Sequence, residues 1–124
     1  YSRGSTSAHR VHTLDEYLAP FDATKQATVR AIFSAITSKY PKLDLVIAWN
    51  QPMLRLGTQY VFGVSVLTNH LLIAPWGEGL LDSFRPRLTD YKVNKKTIQV
   101  PVDWKPDVKL LRDMVAARMA QIAA

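Results

Sequence analysis

The fold of this chain is decided by its central run QYVFGVSV, residues 59–66. β-Branched and aromatic residues fill this run, and a strand places alternate side chains on opposite faces. Alternation puts Tyr60, Phe62, Val64 and Val66 on one face, which we predict to be the core face. Shorter runs of the same type flank it at residues 43–49, 53–55 and 70–74. Because the connections at 56–58 and 68–69 are short enough for hairpins, we predict an antiparallel meander.

Helical patterns lie on both sides of this meander. Thr13 and Glu16 match a capping box, Asp22 can cap a longer helix after Pro20, and Tyr40-Pro41 is predicted to end that helix. After Pro106, apolar residues recur at helical spacing in the last segment of the chain, at Val108, Leu111, Val115, Met119 and Ile122. A short helix at 80–88 and a last strand at 97–100 come between.

This order of elements predicts an α+β fold, an antiparallel sheet of about five strands covered by N- and C-terminal helices. The 124 residues suffice for one core, so we predict a single domain at 13–124. Residues 1–12 are small, polar and aperiodic, and we interpret them as a disordered tail or an appended remnant.

Composition narrows the function classes. The chain has no cysteine, which excludes disulfides, thiolate zinc sites and cysteine nucleophiles. No apolar run approaches the roughly 20 residues of a membrane helix, so we expect no membrane partner. The net charge of +6 is concentrated after residue 84, where nine basic and four acidic residues leave +5. A basic segment of this kind can attract an anionic partner, nucleic acid or a phosphorylated metabolite, with the candidate anion-binding residues Arg85, Arg87, Lys95 and Lys96. Scattered basic residues that keep a small domain soluble give the same charge, and both interpretations stay open.

Catalytic motifs are absent from the sequence. The segment GVSVL at 63–67 lacks the second glycine of a nucleophile elbow and lies inside a predicted strand. His70 is the only histidine within the predicted domain. We therefore expect a protein that is not an enzyme.

The segment WNQPM at 49–53 is the most distinctive local feature. Pro52 has no amide hydrogen and should interrupt the sheet ladder, while Asn50 and Gln51 offer donors and acceptors beside a large indole. One interpretation is a plain strand exit with Trp49 as a core anchor. The other is a small-ligand pocket, whose candidate residues are Trp49, Asn50, Gln51, Met53, His70 and Trp76.

Several of these segments together resemble the YdhG-like domain family. They are SKYP at 38–41, IAWNQPM at 47–53, Gly57, FGVSV at 62–66, HL at 70–71, AP at 74–75 and KKTIQVP at 95–101. The resemblance covers about residues 14–119, and its central block is the most specific part.

The resemblance implies a frataxin-like fold and, in one branch of a family of largely unknown function, an intracellular iron chaperone for iron–sulfur and haem assembly. It implies weakly bound iron, iron–sulfur assembly partners and a cytoplasmic location. The acidic residues matching the iron-binding ridge are Asp15, Glu16, Asp22 and Asp44. We expect a monomer or a weak homodimer. The alternatives that stay open are the anionic-partner module and the ligand pocket.

Overall fold

A computed structural model describes residues 12–123. The helices in this range are α1 (Leu14–Leu18), α2 (Ala23–Thr37), α3 (Leu80–Phe84), which continues into a 3-10 turn at Arg85–Arg87, and α4 (Val108–Ala123). The strands are β1 (Asp44–Ala48), β2 (Gln51–Leu56), β3 (Gln59–Val66), β4 (His70–Pro75), β5 (Lys92–Val93) and β6 (Ile98–Pro101). They form one antiparallel sheet in the order β1-β2-β3-β4-β6-β5.

The predicted α+β architecture is confirmed. The described residues contain six strands rather than about five, since β5 is a two-residue strand too short to leave a periodic signal. The prediction for residues 1–12 lies outside the described residues except at His12.

The predicted helix starts are confirmed by their hydrogen bonds. Thr13 Oγ1 accepts from the Glu16 amide at 3.1 Å, and Asp22 Oδ1 accepts from the Lys25 amide at 2.9 Å. Each bond satisfies a backbone donor that the first helical turn leaves free. The end of α2 comes at Thr37, earlier than predicted, although the Tyr40 amide still donates to the Ile36 carbonyl at 3.0 Å. A turn therefore separates the helix from Pro41.

One hydrophobic core lies between the helices and one face of the sheet. Its fully covered side chains include Ile32 and Ile36 of α2, Leu111 and Met114 of α4, and Leu54, Phe62, Leu71, Ile73 and Ile98 of the sheet. One hydrogen bond joins α4 to α2, and another joins α2 to the residue that follows β6. Arg112 Nε donates to the Ala35 carbonyl at 2.8 Å, and Thr28 Oγ1 donates to the Val102 carbonyl at 2.6 Å.

The prediction for the core face of β3 is wrong at its first residue. Leu54 pairs with Phe62 but Arg55 pairs with Tyr60, so β3 carries one extra residue at Val61, a β-bulge. A bulge reverses the alternation on one side of it. Val61 is therefore buried in the core, and the ring of Tyr60 lies outside it with two tryptophans.

The prediction that Pro52 interrupts the ladder is correct toward β3, where the register begins at Met53 and Gly63, but wrong toward β1. Trp49 and Asn50 form a two-residue hairpin loop with φ of 53° and 58°, and Pro52 is part of β2, paired with Ile47. Positive φ at both central residues is the signature of a type I′ turn. Because the Ala48–Gln51 pair that closes such a loop is hydrogen-bonded, the next pair is not, and Pro52 needs no amide hydrogen toward β1.

An ion pair fastens the segment after α3 to α4. Arg87 and Lys109 contact Asp113 Oδ2 at 2.9 and 3.1 Å. Hydrogen bonds, the stronger from Lys109 and the weaker from Arg87, hold the pKa of Asp113 below its ordinary value of 3.8. A lowered carboxyl pKa contributes stability that is present above the unfolded-state pKa and is lost as pH falls through the folded-state pKa.

Asp113→Asn is therefore expected to lower the free energy of unfolding at neutral pH by less than about 1 kcal/mol, since the pair is partly exposed. The difference from wild type should shrink below about pH 4. Urea unfolding at several pH values measures both effects. Asp90→Asn, in the loop before β5, is the control, and a pH-independent loss in Asp113→Asn would contradict the assignment.

Candidate functional site

A cavity of about 620 Å³ opens where β4 ends. Its apolar lining comes from Met53, Ala74, Pro75, Trp76 and Leu81. Its polar lining comes from the β4–α3 loop with Glu78, from Asp82 of α3, and from the turn between β5 and β6 with Lys95, Lys96 and Thr97. This size and this mixture of an apolar floor with a few polar groups are typical of small-molecule sites.

Met53 lies in this cavity because the neighbouring strand offers a glycine. Met53 pairs with Gly63 of β3 and is only 7% exposed. A Cβ at Gly63 would lie 2.5 Å from Met53 Sδ, closer than real contacts. The absent side chain of Gly63 thus creates the space for the thioether that lines the floor.

Three aromatic rings that contact one another lie beside the cavity. The indoles of Trp49 and Trp76 are nearly parallel, with centroids 6.1 Å apart and an angle of 14°. The ring of Tyr60 lies 5.3 Å from Trp49 and 5.2 Å from Trp76. The Trp76 amide donates to the Val61 carbonyl at 3.0 Å, so the bulge and the cavity loop are joined. We call Trp49, Tyr60 and Trp76 the aromatic cluster.

Helix α4 holds both the cluster and the rim of the cavity. Arg118 Nε donates to the Tyr60 carbonyl at 2.8 Å, and Gln121 Nε2 donates to the Glu78 carbonyl at 3.1 Å. Gly77, the residue before Glu78, has a φ of +125°, which L side chains rarely adopt. These contacts fix the loop that carries Trp76 and Glu78.

The basic and acidic side chains around the cavity come from different segments of the chain. Lys95 and Lys96 come from the β5–β6 turn, whereas Glu78 and Asp82 come from the segment after β4. Asp82 is already paired with Arg85, Nε to Oδ1 at 2.7 Å. The cavity can therefore offer two ammonium groups to an anion and the Glu78 carboxylate to a hydrogen-bond donor.

Only some of the residues predicted for the ligand pocket lie at the cavity. Met53 and Trp76 line the cavity, and Trp49 reaches it by its ring contact with Trp76. Gln51 instead accepts a hydrogen bond from Ser65 Oγ at 2.7 Å, and Asn50 belongs to the β1–β2 turn. His70 begins β4 opposite Pro101, whereas Trp76 follows the last residue of that strand.

Of the residues predicted to bind anions, only the two lysines line the cavity. Lys95 and Lys96 line the cavity. Arg85 and Arg87 are engaged by carboxylates, with Asp82 and Asp113 respectively. The arginines therefore act within the fold, and the lysines are the groups that face the cavity.

Of the acidic residues predicted for iron, Asp15, Asp22 and Glu16 have structural partners. Asp15 contacts Arg30 at 2.6 Å, Asp22 caps α2, and the Glu16 carboxylate accepts from the His12 amide at 3.1 Å. Asp44 begins β1, opposite Arg55. Within residues 12–123, no three His, Cys, Asp or Glu side chains come together in a group that could hold a metal ion.

Sequence reasoning missed the residues that build the rim. Glu78, Gly77, Arg118 and Gln121 belong to no motif, since their roles depend on α4 meeting the β4–α3 loop. The only local signal is the pair of glycines in PWGEG at 75–79, which indicates unusual backbone but no partner.

Gly63→Ala is expected to push Met53 away from β3 and toward the cavity. Because the obstructing atoms belong to a flexible thioether, the cost should be about 1–2 kcal/mol rather than unfolding. Urea unfolding measures the cost, and Gly63→Ala combined with Met53→Ala should remove the collision. If the double variant shows no relief beyond the sum of the single effects, the collision is not the cause.

Comparisons with known proteins place the chain in a family. No family model matches it. One relative is a Bacillus subtilis (strain 168) protein named intracellular iron chaperone frataxin. This chain is 31% identical to it over 104 residues, which cover 81% of this chain and 83% of the relative. A solved structure from Bacillus subtilis, described as the DUF1801 family protein YdhG, superposes with a TM-score of 0.81 at 27% identity, covering 89% of this chain and 90% of that one.

A further solved structure, an uncharacterized conserved protein from Lactobacillus casei ATCC 334, has a TM-score of 0.59 at 23% identity over 90% of this chain and 93% of that one, and shows the shared fold. The fold and the sequence similarity together show that this chain belongs to the YdhG-like (DUF1801) family, as its sequence segments indicate. In residues 12–123, no helix has the length and apolar character needed to cross a membrane.

Proposed function

We propose that this protein is a non-enzymatic binding protein whose ligand is a small anion held in the cavity beside Trp76. The observation that carries the proposal is the convergence of Lys95 and Lys96 with Met53 and Trp76 around one cavity. Two adjacent ammonium groups beside an apolar floor attract an anion, and because both lysines are exposed, the attraction should weaken as salt is added.

The test is isothermal titration calorimetry with inorganic pyrophosphate as the probe. Lys95→Met with Lys96→Met is expected to weaken binding at least about tenfold and to flatten its dependence on salt. Lys39→Met with Lys42→Met is the matched control, because it removes the same charge from two exposed lysines before β1. Equal loss in both double variants, or no pyrophosphate binding by wild type, would contradict the proposal.

Iron handling is the second candidate, favoured by the similarity to the Bacillus subtilis iron chaperone. In this alternative the cargo is ferrous ion, held weakly by exposed oxygen ligands of Asp15, Glu16, Asp22 and Asp44, and delivered to iron–sulfur assembly proteins inside the cell. Carboxylates suit a cargo that must be released, since hard oxygen ligands bind ferrous ion loosely.

Anaerobic calorimetry with ferrous ion tests this second candidate. If iron is the cargo, Asp15→Ala with Glu16→Ala should reduce the binding heat, while Asp90→Ala with Asp103→Ala, exposed aspartates elsewhere, should not. Binding heat that both double variants reduce equally, or none above buffer, would reject the iron role.

A further inference from the structure

The β1–β2 turn carries a large aromatic residue where folding alone favours a small polar one. Trp49 occupies the first central position of a type I′ turn, with φ of 53°, and 69% of its surface is exposed. Such positions strongly prefer Asn, Asp or Gly, because other residues are strained at positive φ. Trp49 therefore has both a strained backbone and little burial, a combination typical of a residue kept for binding.

Trp49 is also joined to the cavity through its contact with Trp76. Its indole lies nearly parallel to that of Trp76, which lines the cavity, and Tyr60 contacts both rings. The hydrogen bond from Arg118 Nε to the Tyr60 carbonyl holds the backbone of Tyr60. The aromatic cluster is thus a contiguous set of rings beside the cavity, and indole faces are the surfaces on which planar bases stack.

The charges around the same cavity match the remaining parts of a nucleotide. Lys95 and Lys96 suit a phosphate group, and the Glu78 carboxylate can accept from ribose hydroxyls or a base amino group. The volume of about 620 Å³ suits one small molecule rather than a polymer.

We infer that the ligand is a nucleoside phosphate, with its phosphate at Lys95 and Lys96 and its base stacked on the exposed indole of Trp49, which contacts Trp76 and Tyr60. This inference rests on the proposed anion-binding function and specifies its ligand. Binding has two separable parts, the phosphate part supplied by the lysines and the base part supplied by the aromatic cluster.

The experiment compares AMP, ribose 5-phosphate, adenosine and inorganic pyrophosphate by calorimetry and by quenching of tryptophan emission. AMP is expected to bind at least about tenfold more tightly than ribose 5-phosphate, since base stacking adds to the phosphate contact. AMP should also quench the emission, which ribose 5-phosphate should not.

Trp49→Asn tests the base part without endangering the fold, because Asn suits a type I′ turn. It should bring the AMP affinity close to that of ribose 5-phosphate and leave the ribose 5-phosphate affinity unchanged. Leu67→Asn, an exposed apolar residue after β3, is the matched control and should alter neither.

The outcomes separate the two proposals. Equal affinity for AMP and ribose 5-phosphate overturns the nucleoside inference and leaves the anion-binding function standing. Failure of AMP, ribose 5-phosphate and pyrophosphate alike overturns both. A single-stranded oligonucleotide that binds more tightly than AMP, with the gain lost in Trp49→Asn, overturns the assignment to a mononucleotide.

Discussion

Replacing Phe62 with alanine is expected to lower the free energy of unfolding by about 3–5 kcal/mol, the range for losing a buried aromatic side chain. Phe62 is 0% exposed and lies at the centre of the sheet, where its neighbours in register are Leu54 of β2 and Pro75 of β4. The surrounding strands are fixed by their ladders, so the cavity left behind can collapse only in part. Domains of this size have only about 5–15 kcal/mol of stability in total.

Urea unfolding followed by circular dichroism measures the effect. Leu67→Ala is the control, since this leucine is 39% exposed and should cost well under half as much. A loss for Phe62→Ala no larger than that for Leu67→Ala would show that the core does not centre on β3.

Gly77→Ala is expected to cost at least about 2 kcal/mol, because backbone strain and a collision act together. L side chains rarely adopt a φ of +125°, and a Cβ would overlap the Gln121 amide oxygen and lie 3.1 Å from Leu80 Cδ1. The substitution should also displace Trp76 and Glu78, and so weaken pyrophosphate binding if the cavity is the site.

Two companion variants separate strain from collision. Gly57→Ala has a φ of +61° with open space around its Cβ, so it should cost only about 1 kcal/mol of strain. Gly77→Ala combined with Gln121→Ala removes the collision but keeps the strain, and should recover part of the stability after allowance for Gln121→Ala alone. Equal costs for Gly57→Ala and Gly77→Ala would contradict this account.

Much of the fold could be predicted because its signals are local. Alternation and β-branched residues located β3, and the caps at Thr13 and Asp22 located the starts of α1 and α2. The errors arose where a neighbouring strand decides the outcome. The bulge at Val61 is a property of the β2–β3 register, and the tolerance of Pro52 depends on which pair closes the β1–β2 turn.

The candidate site was predictable only in pieces. The sequence pointed to Met53 and Trp76 in one hypothesis and to Lys95 and Lys96 in another, for reasons of side-chain chemistry. No local signal joined them, because they come together only when β4 pairs with β6 and places the β5–β6 turn beside the end of β4. The same tertiary contacts left His70 at the opposite end of its strand.

By itself, the sequence determined the family, the α+β class and most of the strands and helices, since these depend on propensity, periodicity and caps within a few residues. Only the tertiary structure decided that Trp49, Tyr60 and Trp76 form a cluster, that Gly63 makes room for Met53, and that α4 holds the rim through Arg118 and Gln121. The physical reason is that a binding site is made of contacts between segments distant in the chain, and strand register and helix packing set those contacts.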